Sequence, residues 1–146
     1  MSRPKVLLDT NIIISGIVFL SGNEHIIMRH AENGEIVLVL PDFVLQEAKA
    51  VLRQRFPGYE ALLDIFLSNL GYITIEWSEL EPFLPLCRDR ITDKKDAPLL
   101  AATIAEKPEY AITGDKGLRE DLCNCKEAAK TKIYTSTQFL EELQNQ

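Results

Sequence analysis

A chain of 146 residues, 46% of them apolar, has the length of one ordinary domain and enough apolar side chains to bury a substantial core. The formal net charge of −6 argues against a nonspecific, charge-driven nucleic-acid binder, but it is compatible with an enzyme whose acids hold divalent cations. No stretch approaches the roughly 20 apolar residues of a membrane span, and the N terminus has no apolar signal core. We therefore expect one domain over residues 1–146, in a cytoplasmic protein with no membrane partner.

The three cysteines, Cys87, Cys123 and Cys125, are an odd number without a disulfide framework. Free thiols in a reducing compartment are the expectation. A zinc site that combines the Cys-x-Cys pair with His25 and His30 is disfavoured, because both histidines lie in another helical segment.

Apolar runs alternate with helical patterns along the chain, which is typical of an α/β protein with a mainly parallel sheet. The five predicted strands are Val6–Leu8, Ile36–Leu40, Tyr72–Ile75, Tyr110–Ile112 and Ile133–Tyr134.

Helical patterns fill the intervals between these strands. The predicted helices are two within Ile12–Asn33 that separate near Ser21–Asn23, then Asp42 to about Phe56, Tyr59–Leu70, Ala97–Lys107 and Ser136–Leu143, with a short helix or turn over Glu79–Cys87. The sequence Gly114–Gly117 is that of a strong turn.

Two aspartates follow two of the predicted strands. Asp9 comes directly after Val6–Leu8, and Asp115 comes shortly after Tyr110–Ile112. In a doubly wound sheet, ligands bind at the carboxyl ends of the strands beside the switch point. If these two strands are neighbours, Asp9 and Asp115 face each other, although each residue alone also fits a helix cap or a turn.

Glu47 lies within a predicted helix, on the flank of its apolar arc. No cation stands three or four residues away on that helix to pair with it. A half-buried glutamate without a partner is costly unless a cation meets it, so we expect either a metal ligand or an ordinary rim residue.

Asp96 precedes the helix that starts at Ala97, where an aspartate is a good N-cap. A capping carboxylate can also face a site, so the two roles are compatible. Asp93 lies in the charged loop before it and is expected to be solvated. The neighbouring bases are either part of a solvated surface or contacts for phosphate groups; they are Lys94, Lys95, Lys116 and Arg119.

These acids come without a serine–histidine or cysteine–histidine pair, so they fit hard cations better than nucleophilic catalysis. Mg²⁺ and Mn²⁺ prefer carboxylates and water, and keep waters that a phosphate displaces. Such ions activate water and stabilise the leaving oxygen of an in-line displacement. Phosphodiester hydrolysis is the reaction that suits this set.

With these residues in this order, the chain resembles the PIN-domain nucleases over nearly its whole length. The segment from Val6 to Ser15 is similar to the family's first motif, an apolar strand that ends in Asp-Thr-Asn. Glu47 matches the helix glutamate, Asp96 the acid before the fourth strand, and Asp115 the last acidic motif, while Thr135 to Leu140 is similar to the closing helix.

The resemblance implies a three-layer α/β/α fold with a five-stranded parallel sheet. It also implies a Mg²⁺- or Mn²⁺-dependent endoribonuclease, commonly the VapC-type toxin of a bacterial toxin–antitoxin pair. RNA would be the substrate, a small antitoxin the partner, and a homodimer is plausible.

The same resemblance implies residue roles. Asp9, Glu47, Asp96 and Asp115 would be the catalytic metal ligands. Asn11 and Thr113 would orient ligands or water, and Asp93 and Asp121 would support them. The chain departs from the usual pattern at Pro98 and Gly117, which affects local geometry without removing a ligand.

Two other functional classes remain as alternatives. A catalytically silent PIN-like scaffold would bind RNA or protein without cutting. A haloacid-dehalogenase-like phosphatase needs a second acid two residues after the first and another four residues after the later aspartate. This chain has Asn11 and Arg119 at those positions, which makes the phosphatase the weaker alternative.

Overall fold

A parallel sheet forms the centre of the computed structural model, which describes residues 3–145. Its strands are β1 (Lys5–Leu8), β2 (Val37–Val39), β3 (Tyr110–Ile112) and β4 (Lys132–Tyr134). Within the described residues the sheet has four strands in the order β2-β1-β3-β4, and all neighbours are parallel. Successive side chains of β1 point to opposite faces, yet Val6, Leu7 and Leu8 are all buried. Helices therefore cover both faces of the sheet, which confirms the α/β/α layers.

The expected fifth strand, Tyr72–Ile75, does not form, and the predicted sheet is corrected accordingly. Ile73 alone forms a parallel bridge, to Val39, and its backbone groups bond to the chain of β2 at 2.8 and 2.9 Å. The pairing does not develop further because β2 gives way to a helix that starts at Asp42. Beyond the bridge, the Ile75 carbonyl accepts the Asp42 N–H at 3.0 Å, at the start of that helix and not in a strand.

Helices make up most of the remaining chain. They are α1 (Thr10–Val18), α2 (Asn23–Glu32), α3 (Asp42–Arg55), α4 (Tyr59–Ser68), α5 (Trp77–Leu80), α6 (Leu84–Arg90), α7 (Ala97–Glu106), α8 (Lys116–Asn124) and α9 (Ser136–Gln144), with 3-10 turns at Glu81–Phe83, Lys94–Asp96 and Lys126–Ala128. The predicted split between two helices near Ser21–Asn23 is confirmed. So are the predicted helix starts at Asp42, Tyr59, Ala97 and Ser136.

Helix α8 was not predicted, because Gly114–Gly117 has the composition of a turn. In the structure Asp115 is the N-cap of this helix, and its carboxylate accepts a hydrogen bond from the Leu118 N–H at 3.1 Å. Leu118 and Leu122 are buried and attach the helix to the core. Tertiary packing therefore extends a turn sequence into a helix.

None of the helices in residues 3–145 is long and apolar enough by itself to cross a membrane. Helices α1 and α2 pass that test by length and composition only as a pair, and they are bent by 90° at the break between them.

A cluster of hydrogen bonds around Glu142 attaches α9 to strands β3 and β4. The Glu142 carboxylate accepts hydrogen bonds from the hydroxyls of Tyr110 at 2.6 Å and Tyr134 at 2.7 Å, and from Lys132 Nζ at 3.0 Å. These donors, Tyr110 first, lower the pKa of Glu142 from 4.5 to about 2. A lowered carboxyl pKa adds stability that is complete above about pH 4.5 and is lost as the pH falls towards about 2.

We expect Glu142→Gln to lower the melting temperature by a few degrees at pH 7, because the amide replaces a charge that three donors stabilise. The gap between wild type and variant should shrink as the pH falls from about 4.5 towards 2. Thermal denaturation across that range is the measurement, with the exposed Glu141→Gln as the matched control. A gap that is the same at pH 7 and pH 2 would contradict the role given to the charge.

Candidate metal centre at the strand ends

The structure places Asp9 and Asp115 at the carboxyl ends of adjacent strands, as the sequence predicts. Strands β1 and β3 pair in register, with Leu8 opposite Ile112, and the Asp9 N–H donates to the Ile112 carbonyl at 3.0 Å. The chain passes from β1 to β2 on one side and later to β3 on the other. The two aspartates therefore stand at the switch point of the sheet, where α/β proteins bind ligands.

Thr113 joins the two aspartates. Its hydroxyl donates to Asp9 Oδ2 at 2.7 Å and accepts the Asp115 N–H at 3.2 Å. Thr113 is 1% exposed, so this hydroxyl is held in a fixed environment. Thr113 therefore lies between the two aspartates, in contact with both.

Each aspartate also caps the helix that follows it. Asp9 Oδ1 accepts from the Thr10 N–H at 2.7 Å, and Asp115 Oδ1 accepts from the Leu118 N–H at 3.1 Å. The capping interpretation is therefore confirmed for both residues, and it is compatible with a site role, since only one oxygen of each carboxylate serves the helix start. For Asp115, the second oxygen has no hydrogen bond within residues 3–145.

All four predicted acids border one cleft of about 280 Å³. Asp9 and Asp115 come from the strand ends, Glu47 from α3, and Asp96 from the start of α7. The remaining walls include Asn11 and Lys95, which the sequence analysis had named, and Thr10, Phe43 and Leu99, which the sequence did not indicate. Four segments that are far apart in sequence thus deliver carboxylates to a single cavity.

Glu47 requires a correction to its predicted burial. The side chain is exposed rather than half-buried, although it borders the cleft as expected. The apolar face of α3 consists of Val44, Leu45, Ala48 and Leu52, and Glu47 lies just outside it. An exposed carboxylate has no burial cost to offset, so its position in the cleft, and not its burial, supports a ligand role.

Asp96 lies in surroundings that disfavour its ionised form. Partial burial, and then the negative charges of Asp93, Asp115 and Asp9, raise the pKa of Asp96 above its usual 3.8. Its side chain makes no capping hydrogen bond to α7. The carboxylate is therefore available to the cleft, in an environment that disfavours its charge until a cation compensates it.

We expect Asp96→Asn to raise the melting temperature of the metal-free protein by a few degrees at pH 7. A raised pKa means that ionised Asp96 destabilises the folded state above that pKa, whereas below pH 3.8 the carboxyl is neutral in both states. The advantage of the variant should therefore vanish near pH 3. Added Mn²⁺ should reverse the order by stabilising wild type more. Thermal denaturation with chelator or Mn²⁺ measures both effects, and equal Mn²⁺ stabilisation of the two proteins would contradict a ligand role for Asp96.

The carboxylate oxygens that border the cleft are of the type that hard divalent cations prefer. Burial together with the negative charges of Asp93, Asp115 and Asp9 raises the pKa of Asp96, although Lys95 opposes that shift. Within residues 3–145 no three acidic, histidine or cysteine side chains are gathered tightly enough to form a finished metal site. Among the described residues, the four carboxylates thus border one cleft without forming a ready-made coordination site.

A second cleft of about 380 Å³ adjoins the first. Asp9, Asn11 and Asp115 border both clefts, and the second continues past Ser15 and Glu24. Asn11 is exposed between them, in the position to contact a ligand that the resemblance implies. The sequence does not indicate Glu24 as a neighbour of this cleft, because no local pattern links the start of α2 to the strand ends.

The two other predicted supporting acids lie outside the lining of these clefts. Asp93 is exposed, accepts the Lys95 N–H at 3.2 Å and forms an ion pair with Lys95 Nζ at 3.5 Å. Asp121 lies on α8, and its carboxylate accepts hydrogen bonds from the Thr92 N–H at 2.9 Å and from the Thr92 hydroxyl at 3.0 Å. The exposure of Asp93 matches its predicted solvation.

The four candidate phosphate contacts occupy different positions. Lys95 borders the cleft, and Lys116 is exposed at the start of α8. Lys94 Nζ donates to the Arg88 carbonyl at 2.9 Å, and Arg119 donates to the Thr113 carbonyl at 3.0 Å. Lys94 and Arg119 therefore bind backbone carbonyls, while Lys95, which pairs with Asp93, lines the cleft with the four acids.

Comparison with solved structures finds the same fold in another protein. A chain of the crystal structure of VapBC2 from Rickettsia felis, bound to a DNA fragment from its promoter, matches with a TM-score of 0.66 and 16% identity, over 90% of this chain and 98% of that chain. No curated protein sequence matches. A sequence model of the PIN domain matches residues 5–117, which include all four candidate ligands. The chain therefore belongs to the PIN-domain family.

Proposed function

We propose that this protein is a Mg²⁺- or Mn²⁺-dependent endoribonuclease that hydrolyses RNA phosphodiester bonds. The observation that carries the proposal is the convergence of Asp9, Glu47, Asp96 and Asp115 on one cleft at the switch point of the sheet. PIN-domain proteins are nucleases, so membership of that family supports phosphodiester hydrolysis over the haloacid-dehalogenase-like alternative.

In this proposal the four acids hold the metal, with Asp9 and Asp115 as the central ligands. A bound Mg²⁺ or Mn²⁺ supplies a Lewis acid for the phosphate and lowers the pKa of a water molecule. Thr113 orients the Asp9 carboxylate through its 2.7 Å hydrogen bond, which reduces the conformational entropy that this side chain loses when the metal binds. Asn11 offers an amide to the substrate from its exposed position.

Lys95 gives the cleft its one lining cation among the described residues, and we propose that it contacts a backbone phosphate next to the cleaved bond. Lys116 is exposed near the same edge and extends this role. The adjoining cleft beside Ser15 and Glu24 provides room for the strand to continue past the acids. Two joined open clefts suit an extended single strand better than a small phosphomonoester.

We further propose that residues 1–146 form one PIN-like domain that acts in the cytoplasm as the toxin of a toxin–antitoxin pair. The shared fold with a chain of the VapBC2 structure supports this role, with a small antitoxin as partner and a homodimer as the expected assembly. A short open reading frame beside the gene is the expected genomic sign.

The test is an RNA cleavage assay with the purified chain. Single-stranded and structured RNAs, and DNA of the same sequences, are incubated with Mn²⁺ or Mg²⁺, with chelator, and with chelator followed by excess metal. We expect internal cleavage of RNA that chelator abolishes and metal restores. Asp115→Asn, purified in parallel, controls for contaminating nucleases and should be inactive.

The outcomes separate the candidate functions. Cleavage that persists in chelator or in Asp115→Asn would overturn the metal-centre proposal. Binding of RNA without cleavage, under all metal conditions, would instead support the catalytically silent scaffold.

A further inference from the structure

Asp96 reaches the cleft from a segment that has little regular structure of its own. It ends the 3-10 turn Lys94–Asp96, which follows the connection from α6 through Ile91, Thr92 and Asp93. Asp93, Lys94 and Lys95, which come directly before Asp96, are all exposed. The position of the Asp96 carboxylate therefore depends on the buried start of α7 that follows it and on the contacts that hold the connection before it.

Asp121 holds this connection at Thr92. One carboxylate oxygen accepts the Thr92 N–H at 2.9 Å, and the other accepts the Thr92 hydroxyl at 3.0 Å. The residues are 29 positions apart in sequence, so the contact is a tertiary one. Both bonds are made to an ionised acceptor, which makes them stronger than bonds between neutral groups.

The helix that carries Asp121 also carries Asp115. Asp115 caps the start of α8, and Asp121 lies within the same helix, about 9 Å further along at 1.5 Å per residue. The base of the helix is attached to the strand end as well, since Arg119 donates to the Thr113 carbonyl at 3.0 Å. A single rigid element thus sets the position of Asp115 and restrains the segment that delivers Asp96.

A second contact holds the same connection without reaching α8. Arg90, at the end of α6, binds Glu127 in the 3-10 turn Lys126–Ala128 through two hydrogen bonds of 3.2 and 3.3 Å. Glu127 lies beyond the end of α8 and further along the chain from Asp115. This pair provides a natural control, because it also restrains the approach to Asp96 but from a different element.

We propose that Asp121 is a positioning residue, which fixes the spacing between Asp96 and Asp115 by holding Thr92 on the helix that starts at Asp115. The inference rests on the proposed metal centre. It assigns to Asp121 an effect on metal affinity that a contact of general structural importance would not have.

Asp121→Asn tests this role because one oxygen becomes an NH₂ group that cannot accept from Thr92. We expect its affinity for Mn²⁺ to fall about tenfold, at the lower end of what the loss of groups that orient metal ligands produces. Free Mn²⁺ is measured by electron paramagnetic resonance during titration of the purified protein, so catalysis is not needed. Glu127→Gln should lower the melting temperature and leave Mn²⁺ affinity within twofold of wild type.

A second pair of variants acts at the other end of the contact. Thr92→Val removes the hydroxyl donor and should weaken Mn²⁺ binding, whereas Thr92→Ser keeps both donors and should bind like wild type. This pair decides the question if Asp121→Asn fails to fold. Wild-type Mn²⁺ affinity in Asp121→Asn or Thr92→Val, or an equal loss in Glu127→Gln, would overturn the inference.

Failure of the proposed function is distinguishable from failure of this inference. If the wild-type protein binds no Mn²⁺, the metal centre is wrong, and hydrogen exchange of residues 91–96 in the metal-free protein then tests the contact directly. We expect faster exchange there in Asp121→Asn than in wild type. Unchanged exchange would overturn the positioning role.

Discussion

Asp9→Asn should reduce metal-dependent RNA cleavage by at least about 10³-fold while the protein remains folded. A metal ion contributes several kcal/mol to the stabilisation of the transition state, and each 1.4 kcal/mol or so corresponds to a factor of ten in rate. Asparagine keeps an oxygen that accepts the Thr10 N–H, as Asp9 Oδ1 does at 2.7 Å, and it is an equally good N-cap. The substitution therefore removes the charge and spares the start of α1.

The measurement compares initial cleavage rates and melting temperatures of the wild type and the variant at several Mn²⁺ concentrations. Asp64→Asn is the matched control, because Asp64 is an exposed aspartate on α4 that pairs with Lys49 at 3.3 Å, away from the cleft. It should cleave like wild type. A rate for Asp9→Asn within tenfold of wild type would exclude Asp9 as a central ligand.

The pairing of Asp9 with Asp115 could be predicted because two local signals coincide. Each aspartate follows a short apolar run, and the alternation of strands and helices places the ends of parallel strands at one edge. The register of Leu8 with Ile112 and the direct bond from Asp9 to the Ile112 carbonyl confirm this juxtaposition. Topology, and not side-chain detail, brings these two residues together, and topology can be predicted from the alternation of strands and helices.

Other features depend on neighbours that the sequence does not reveal. The run Tyr72–Ile75 has the composition of a strand, but its neighbour β2 ends where α3 begins, so only Ile73 forms a bridge. Conversely, the turn-like sequence after Asp115 becomes helix α8 because Leu118 and Leu122 are buried against the core. In both cases tertiary contacts override local propensity.

Within the site, periodicity indicated the side of α3 on which Glu47 lies but overestimated its burial. A residue on the flank of an apolar arc is buried only if a neighbouring element covers that flank, and here Glu47 faces an open cleft. The contact between Asp121 and Thr92 likewise depends on the packing of elements that are distant in sequence. No local pattern joins residues 29 positions apart, and only the folded chain shows that α8 restrains the approach to Asp96.

Thr113→Val should reduce cleavage by about 10- to 100-fold, the usual effect of removing a group that orients a metal ligand. Valine has a similar volume but can neither donate to Asp9 Oδ2 nor accept the Asp115 N–H, which Thr113 contacts at 2.7 and 3.2 Å. Leaving such partners unsatisfied should also cost about 1–3 kcal/mol of stability. Thr113→Ser retains the hydroxyl and should keep most of the activity.

A second buried threonine provides a control that separates the effect of Thr113→Val on protein stability from its effect on the orientation of the Asp9 carboxylate. Thr131 donates to the Pro108 carbonyl at 2.7 Å and lies outside both clefts, so Thr131→Val removes a comparable hydrogen bond without touching a candidate ligand. We expect similar melting temperatures for Thr113→Val and Thr131→Val, but weaker Mn²⁺ binding and slower cleavage only for Thr113→Val. Equal Mn²⁺ affinity in the two variants would mean that Thr113 stabilises the strand ends without orienting the carboxylate. The single hydroxyl between Asp9 and Asp115 would then belong to the fold, and the geometry of the cleft would depend on the acids alone.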